Sequence, residues 1–250
     1  MDTKSLWNGI EGIVLDAVGT LIEPEPPVAQ VYLDAAGRQG VSLRKEDVRA
    51  RFGRHFRDGE ADGSLGPMLT DEPLERRRWR RIVGRVLPEV REPERAFAEL
   101  WDHFARPDAW RCFEDVAAAL AAFDQAGLRI AIASNFDARL RRVVAGLPEL
   151  APLGQALVIS SEVGCRKPHP RFYQAVCKRL GLAPARVLFV GDDPENDVAG
   201  PIRAGLRGVL LDRAGARVVP GALAELRTLR PPRFANGKAD FSRPEPPFAS

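Results

Sequence analysis

Five short apolar runs, each closing on a polar or glycine-bearing turn, constrain this chain more than any other feature. They span Gly12–Asp16, Arg129–Ser134, residues 156–160, Val187–Gly191 and residues 208–211. Each is rich in β-branched and small apolar residues, the pattern of a buried strand. Helical stretches separate them, as in Phe113–Ala126, Arg139–Ala145 and Pro170–Leu180. Strands alternating with helices predict an α/β fold: a Rossmann-like parallel sheet with helices on both faces. In such sheets ligands bind beyond the carboxyl ends of the strands. That is where this chain keeps its chemically capable residues.

Those residues form an ordered series. The first run reads Gly12-Ile-Val-Leu-Asp16-Ala-Val18-Gly-Thr20, an apolar strand entering a lone carboxylate and then a Gly-Thr turn. Leu128-Arg-Ile-Ala-Ile-Ala-Ser134-Asn135 ends in a hydroxyl and an amide. Ser161-Glu-Val-Gly-Cys-Arg-Lys167-Pro-His-Pro170 sets a lysine just before a Pro-x-Pro turn. Val187-Leu-Phe-Val-Gly-Asp192-Asp193-Pro-Glu-Asn-Asp197 discharges a strand into a carboxylate-rich loop. Singly these are weak signals. An Asp-x-x-Gly-Thr turn occurs in many α/β proteins, and Asp192, Asp193 and Asp197 could merely cap a helix starting near Glu195. Lys167 carries more weight, because only five of the 37 basic residues are lysines. A compact ammonium kept at this point suggests a charge-neutralising role.

Jointly, and in this order, the four segments resemble the four motifs of the haloacid dehalogenase-like (HAD) phosphohydrolases over nearly the whole core. The resemblance implies Asp16 as a nucleophile that accepts the phosphoryl group. It implies Mg²⁺ held by Asp16, by Asp192 and by the backbone carbonyl of Val18, in the oxygen-only coordination this ion takes. Thr20, Ser134 and Asn135 would make the substrate-binding set, Ser134 and Asn135 at the phosphoryl group and Thr20 holding the first turn in place. Lys167 would neutralise charge on the phosphoryl group and on Asp16. Asp193 and Asp197 would orient metal-bound water or Lys167. One position departs from the pattern. Most phosphatases of this superfamily carry a second Asp two residues past the first, as general acid and base, and here that residue is Val18.

Residues 24–108 interrupt the strand–helix rhythm with four amphipathic helical patterns: Val28–Gln39, Lys45–Arg57, Asp71–Val86 and Glu92–Phe104. The stretch resembles the helical cap inserted after the first motif in subfamily I of the same superfamily. The expected organisation is a core of residues 1–23 and 109–230, a cap of 24–108, and a disordered proline-rich tail over 231–250. Arg77-Arg-Trp79, Arg106-Pro-Asp-Ala-Trp110, Ser134-Asn-Phe-Asp-Ala-Arg-Leu140 and Gly200-Pro201 narrow the resemblance to the group of haloacid dehalogenase-like hydrolase domain-containing protein 3. The run Glu75-Arg-Arg-Arg-Trp-Arg-Arg81 reads as a charged helix face around a packed Trp79. Asp137 and Arg139 read as supports of the following helix.

Composition narrows the partners. A formal charge of +3 gives no argument for nucleic acid or membrane. No apolar run approaches the ~20 residues of a membrane span, and Met1–Asn8 lacks a signal-peptide core. Cys112, Cys165 and Cys177 show no ligand spacing, so reduced thiols and a cytoplasmic location are expected. No protein partner is predictable.

The expected activity is Mg²⁺-dependent hydrolysis of a small phosphorylated molecule, impaired on simple esters because Val18 cannot relay a proton. The alternative is a degenerate enzyme that binds a phosphorylated ligand or a partner. A 2-haloacid dehalogenase also lacks the second Asp but has no use for the acidic loop. A phosphonatase-like hydrolase needs a cap lysine, and the 24–108 stretch has only Lys45.

Overall fold

The computed structural model describes residues 6–60, 68–213, 215 and 222–231. The expected disordered tail therefore lies almost wholly outside the described residues.

The chain builds an α/β fold around a five-stranded, fully parallel sheet in the order β5-β4-β1-β6-β7. The strands are β1 (Gly12–Leu15), β4 (Arg129–Ser134), β5 (Leu157–Ile159), β6 (Val187–Gly191) and β7 (Arg207–Leu210). β1 lies at the centre, with Leu15 opposite Ile132 on one side and Val190 on the other. That register brings Asp16, Ser134 and Asp192 to the same edge of the sheet. The strands read as near-continuous apolar runs because helices cover both faces. One layer of core gathers Ile13, Leu15, Ile130 and Ile132, and the other gathers Val14, Ala131, Phe172 and Phe189.

Flanking helices are α5 (Val116–Gln125), α6 (Arg139–Gly146), α7 (Ser160–Val163), α8 (Pro170–Leu180) and α9 (Gly200–Arg203). α8 starts with Pro170 and stops at Gly181, whose φ of 62° suits a residue without a Cβ.

Between β1 and β4 four helices form a unit of their own: α1 (Val28–Gly37), α2 (Lys45–Glu60), α3 (Glu72–Val86) and α4 (Pro93–His103). They bury a separate apolar cluster that includes Tyr32, Val48, Ile82, Val86, Leu87, Phe97 and Leu100. Each fully buried side chain of this size contributes about 1.5–3 kcal/mol. α3 is capped by Asp71, which accepts from the Leu74 amide at 2.7 Å. Two strands escaped the sequence reading. β2 (Ile22–Pro24) and β3 (Trp110–Cys112) pair antiparallel where the chain leaves and re-enters the sheet domain. At three residues each they are too short to show a period of two.

The charged run on α3 also departs from expectation. Arg76 and Arg77 are exposed, but Glu75 and Arg78 are buried. Glu75 accepts from Thr70 Oγ1 at 2.6 Å and pairs with Arg78 at 3.3 Å and Arg166 at 3.5 Å. Beside it, the Arg166 amide donates to the Met68 carbonyl at 2.8 Å and the Thr70 amide to the Gly164 carbonyl at 3.3 Å. The helical unit is thus stitched to the loop that presents Lys167.

Candidate active site

Three loops at the carboxyl ends of β1, β4 and β6, and the loop before α8, converge on one cavity. The β1 loop turns sharply at Gly19, with φ of 88°. A Cβ there would stand 2.6 Å from Asp192 Oδ2, so only glycine lets the two loops approach. Asp16 is held as the strand ends, its amide donating to the Val190 carbonyl at 2.9 Å.

Lys167 is the hub. Its ammonium donates to Asp16 Oδ1 at 2.7 Å, to Asp197 Oδ1 at 2.7 Å and to the Ala133 carbonyl at 3.2 Å, which satisfies all three N–H groups. Asn135 fixes the loop behind it. Its amide donates to the Lys167 carbonyl at 3.1 Å and accepts from the Lys167 amide at 2.7 Å. Asp197 is fully committed, since its second oxygen accepts from the Asp193 amide at 3.0 Å. Asp193 caps the wide helical turn Pro194–Ala199, accepting from Glu195 and Asn196 amides at 2.9 and 2.8 Å.

Asp16, Asp192 and Asp197 each bring a carboxylate oxygen within 4.8 Å of the others. With one ammonium among them, the four groups carry a net charge of −2 when all three acids are ionised. Burial would pull the Lys167 ammonium down, but Asp16 and Asp197 outweigh it and hold Lys167 above the ordinary lysine value. Burial, then repulsion from Asp16 and Asp197, pushes Asp192 up to about 7. Burial also holds Asp197 above the usual carboxylate range, against the pull of Lys167. A hard divalent cation bound by oxygen would relieve this excess. The donor set therefore fits Mg²⁺. Of the three acids, Asp197 already accepts a hydrogen bond on each oxygen, from Lys167 and from the Asp193 amide.

The cavity measures about 360 Å³. Its lining includes Asp16, Val18, Ser134, Asn135, Lys167, Asp192, Asp193 and Asp197. Thr20 stands apart: it is fully buried, lies outside that lining, and offers its backbone carbonyl to Arg213 at 2.7 Å. Lys45 is exposed and also outside the lining.

The opposite wall is not apparent from the sequence. Phe52, Phe56, Trp79, Phe97 and Trp101 from the helical unit, with Phe136 from the β4 loop, face the same cavity. Phe52 with Phe56, and Phe97 with Trp101, are four apart on their helices, a spacing that core packing produces equally well. Arg139 joins them. It forms a two-pronged pair with Asp137 at 2.7 Å on each prong and stacks 3.5 Å above the Trp101 ring.

Comparison with known proteins agrees with this architecture. A family model described as haloacid dehalogenase-like hydrolase matches residues 10–205. A phosphoserine phosphatase of Thermus thermophilus is 32% identical over 238 residues, covering 86% of this chain and 94% of that protein. Haloacid dehalogenase-like hydrolase domain-containing protein 3 of Mus musculus is 26% identical over 215 residues, covering 84% of each. Among solved structures, a dehalogenase with an intermediate complex superposes with a TM-score of 0.69 at 20% identity, covering 88% of this chain and 96% of that one. At that identity the likeness speaks for the fold alone.

Proposed function

The chain belongs to the haloacid dehalogenase-like hydrolase family, and on that premise we propose that it hydrolyses phosphate monoesters through a phosphoryl group carried transiently on Asp16. The observation that carries this reading is the contact of Lys167 with Asp16 beside the three-carboxylate cluster. A carboxylate can attack a phosphate dianion only where cations cancel their repulsion, and the site concentrates the groups that do so. Relatives named as phosphatases support the same reaction class.

In this reading Asp16, Asp192 and the Val18 carbonyl would hold Mg²⁺, which would neutralise charge on the phosphoryl oxygens. The free oxygen of Asp16 attacks phosphorus, while Lys167 holds the other oxygen and so fixes the angle of approach. Ser134 and Asn135 bind and orient the phosphoryl oxygens. Asp197 keeps Lys167 protonated and in position. Thr20 acts from behind the first turn, and Asp193 shapes the acidic loop. The described residues within 1–23 and 109–230 serve as the core, and those within 24–108 as a cap that excludes water when closed.

A second reading rests on Val18. Its apolar side chain lines the cavity where the superfamily's general acid would stand, which favours a protein that binds a phosphorylated ligand without turning it over. Phosphate release from acetyl phosphate, whose leaving group needs no acid, separates the two. Turnover that requires both Mg²⁺ and Asp16, and vanishes in Asp16→Asn, supports the hydrolase. Activity that survives EDTA or Asp16→Asn contradicts it. Mg²⁺ binding with no turnover favours the second reading.

A further inference from the structure

We propose that the substrate's leaving group is an uncharged planar aromatic ring bearing the phosphate on a phenolic oxygen. This rests on the reading of Asp16 as phosphoryl acceptor and names the class of ester that site takes. Two separate observations lead to it.

The first is the character of the wall facing Asp16. Phe52, Phe56, Trp79, Trp101 and Phe136 are only half-buried, so they keep ring surface exposed to the cavity. The rings already pack on one another, Phe52 on Phe56 at 5.7 Å and Phe56 on Trp79 at 5.9 Å between centroids. Among the described residues two guanidiniums line the cavity, and both are committed elsewhere. Arg139 gives both prongs to Asp137 and a third donor to the Trp101 carbonyl at 3.2 Å. Arg78 is buried, paired with Glu75 and bonded to the Phe56 carbonyl at 3.4 Å. A leaving group with a carboxylate or several hydroxyls would lose its water here and meet ring faces instead, and the place of a cation over these rings is already taken by Arg139, 3.5 Å above Trp101. A flat apolar ring would gain stacking and burial. The volume, about 360 Å³, lies at the small end of the roughly 300–1,000 Å³ typical of small-molecule sites.

The second is Val18. Without a proton donor the leaving oxygen must depart as an anion. A phenolate has a conjugate acid of pKa about 10, as in tyrosine, whereas an alkoxide is far more basic and needs the proton. The chemistry balances without an acid. An Asp16 carboxylate oxygen bonds to phosphorus as the phosphorus–phenolic oxygen bond breaks, and the phenolate leaves with the electron pair. Water then bonds to phosphorus as the phosphorus–Asp16 oxygen bond breaks, which regenerates the carboxylate and releases dihydrogen phosphate carrying both of the water's protons. In solution that dihydrogen phosphate gives one of them to the phenolate, so the products are the neutral phenol and hydrogen phosphate.

The test compares kcat/KM for naphthyl phosphate, cyclohexyl phosphate, O-phosphoserine and acetyl phosphate with Mg²⁺ present. Cyclohexyl phosphate is apolar but a poor leaving group, and acetyl phosphate is a good leaving group with no ring. The expected result is naphthyl phosphate favoured over cyclohexyl phosphate and O-phosphoserine by about a hundredfold or more, with a KM below that of acetyl phosphate. Phe56→Leu and Trp79→Leu should each lower the naphthyl-to-acetyl ratio of kcat/KM by about tenfold. The wild-type comparison stands whether or not those variants fold. If acetyl phosphate turns over through Asp16 while naphthyl phosphate fares no better than O-phosphoserine, the aromatic assignment is overturned and the hydrolase reading survives. If nothing turns over, acetyl phosphate included, both fall together.

Discussion

Lys167 places its ammonium 2.7 Å from Asp16 Oδ1, although 151 positions separate the two residues. Both are buried, and Asp197 holds the other side of the same ammonium. Removing one partner of a buried, hydrogen-bonded ion pair strands the remaining charge, at a cost of about 3–5 kcal/mol. Lys167→Met should therefore lose turnover and also lower unfolding free energy by that amount in urea titrations. A variant of wild-type stability would show that the pair is solvated and that the acids are not competing for one cation.

Val18→Asp restores a proton donor to a site whose other groups are in place. General acid–base help is worth about 10²–10⁴-fold. The gain should appear on alkyl esters such as cyclohexyl phosphate and be much smaller on naphthyl phosphate. Equal gains on both, or none, would mean that position 18 does not govern departure of the leaving group.

The acidic cluster makes stability depend on pH and metal together. Asp192 sits at about 7 in the folded protein, against about 3.9 unfolded. Between those values the folded state binds more protons than the unfolded one, so metal-free stability falls as pH rises through the window. Lys167, also raised in the folded protein, has the same sign in a higher window: its contribution is fully present below about 10.4 and is lost only above that. Mg²⁺ should therefore raise the melting temperature more at about pH 8 than at about pH 5.5, where protons compete for the carboxylates. Equal shifts at both would contradict a site built on Asp192.

Glu75 ties the helical unit to the loop of Lys167 through Thr70, Arg78 and Arg166. Glu75→Ala leaves two arginines buried without their acid and should cost about 3–5 kcal/mol. Arg77→Ala, two residues on and exposed, should fall within about 0.5 kcal/mol of wild type. Thermal or chemical melts of the pair test this directly.

The parallel sheet was legible in the sequence because buried strands between covering helices read as unbroken apolar runs, and Arg129–Ser134 and Val187–Gly191 occur with the bounds expected. The convergence of Asp16, Ser134, Asn135 and Asp192 followed from strand order, since each lies at a strand end or in the loop beyond, whereas Lys167 comes in from the loop between α7 and α8. What stayed hidden depends on contacts across the chain. Glu75 and Arg78 look like a solvated face until Arg166, 91 and 88 positions away, is seen beside them. Phe56 and Trp79 look like core until the cavity they line is found above Asp16. Asp197 could be read as a cap, a water holder or a lysine partner, and only geometry gives it Lys167.

The proposed reaction places a phosphoryl group on Asp16. Acid-quenching the protein during turnover of acetyl phosphate with Mg²⁺, then mapping phosphorylated peptides by mass spectrometry, tests it most directly. Phosphate should appear on the peptide containing Asp16 and be absent in Asp16→Asn and after EDTA. Turnover with no covalent phosphate at Asp16, or phosphate that persists in Asp16→Asn, would contradict it.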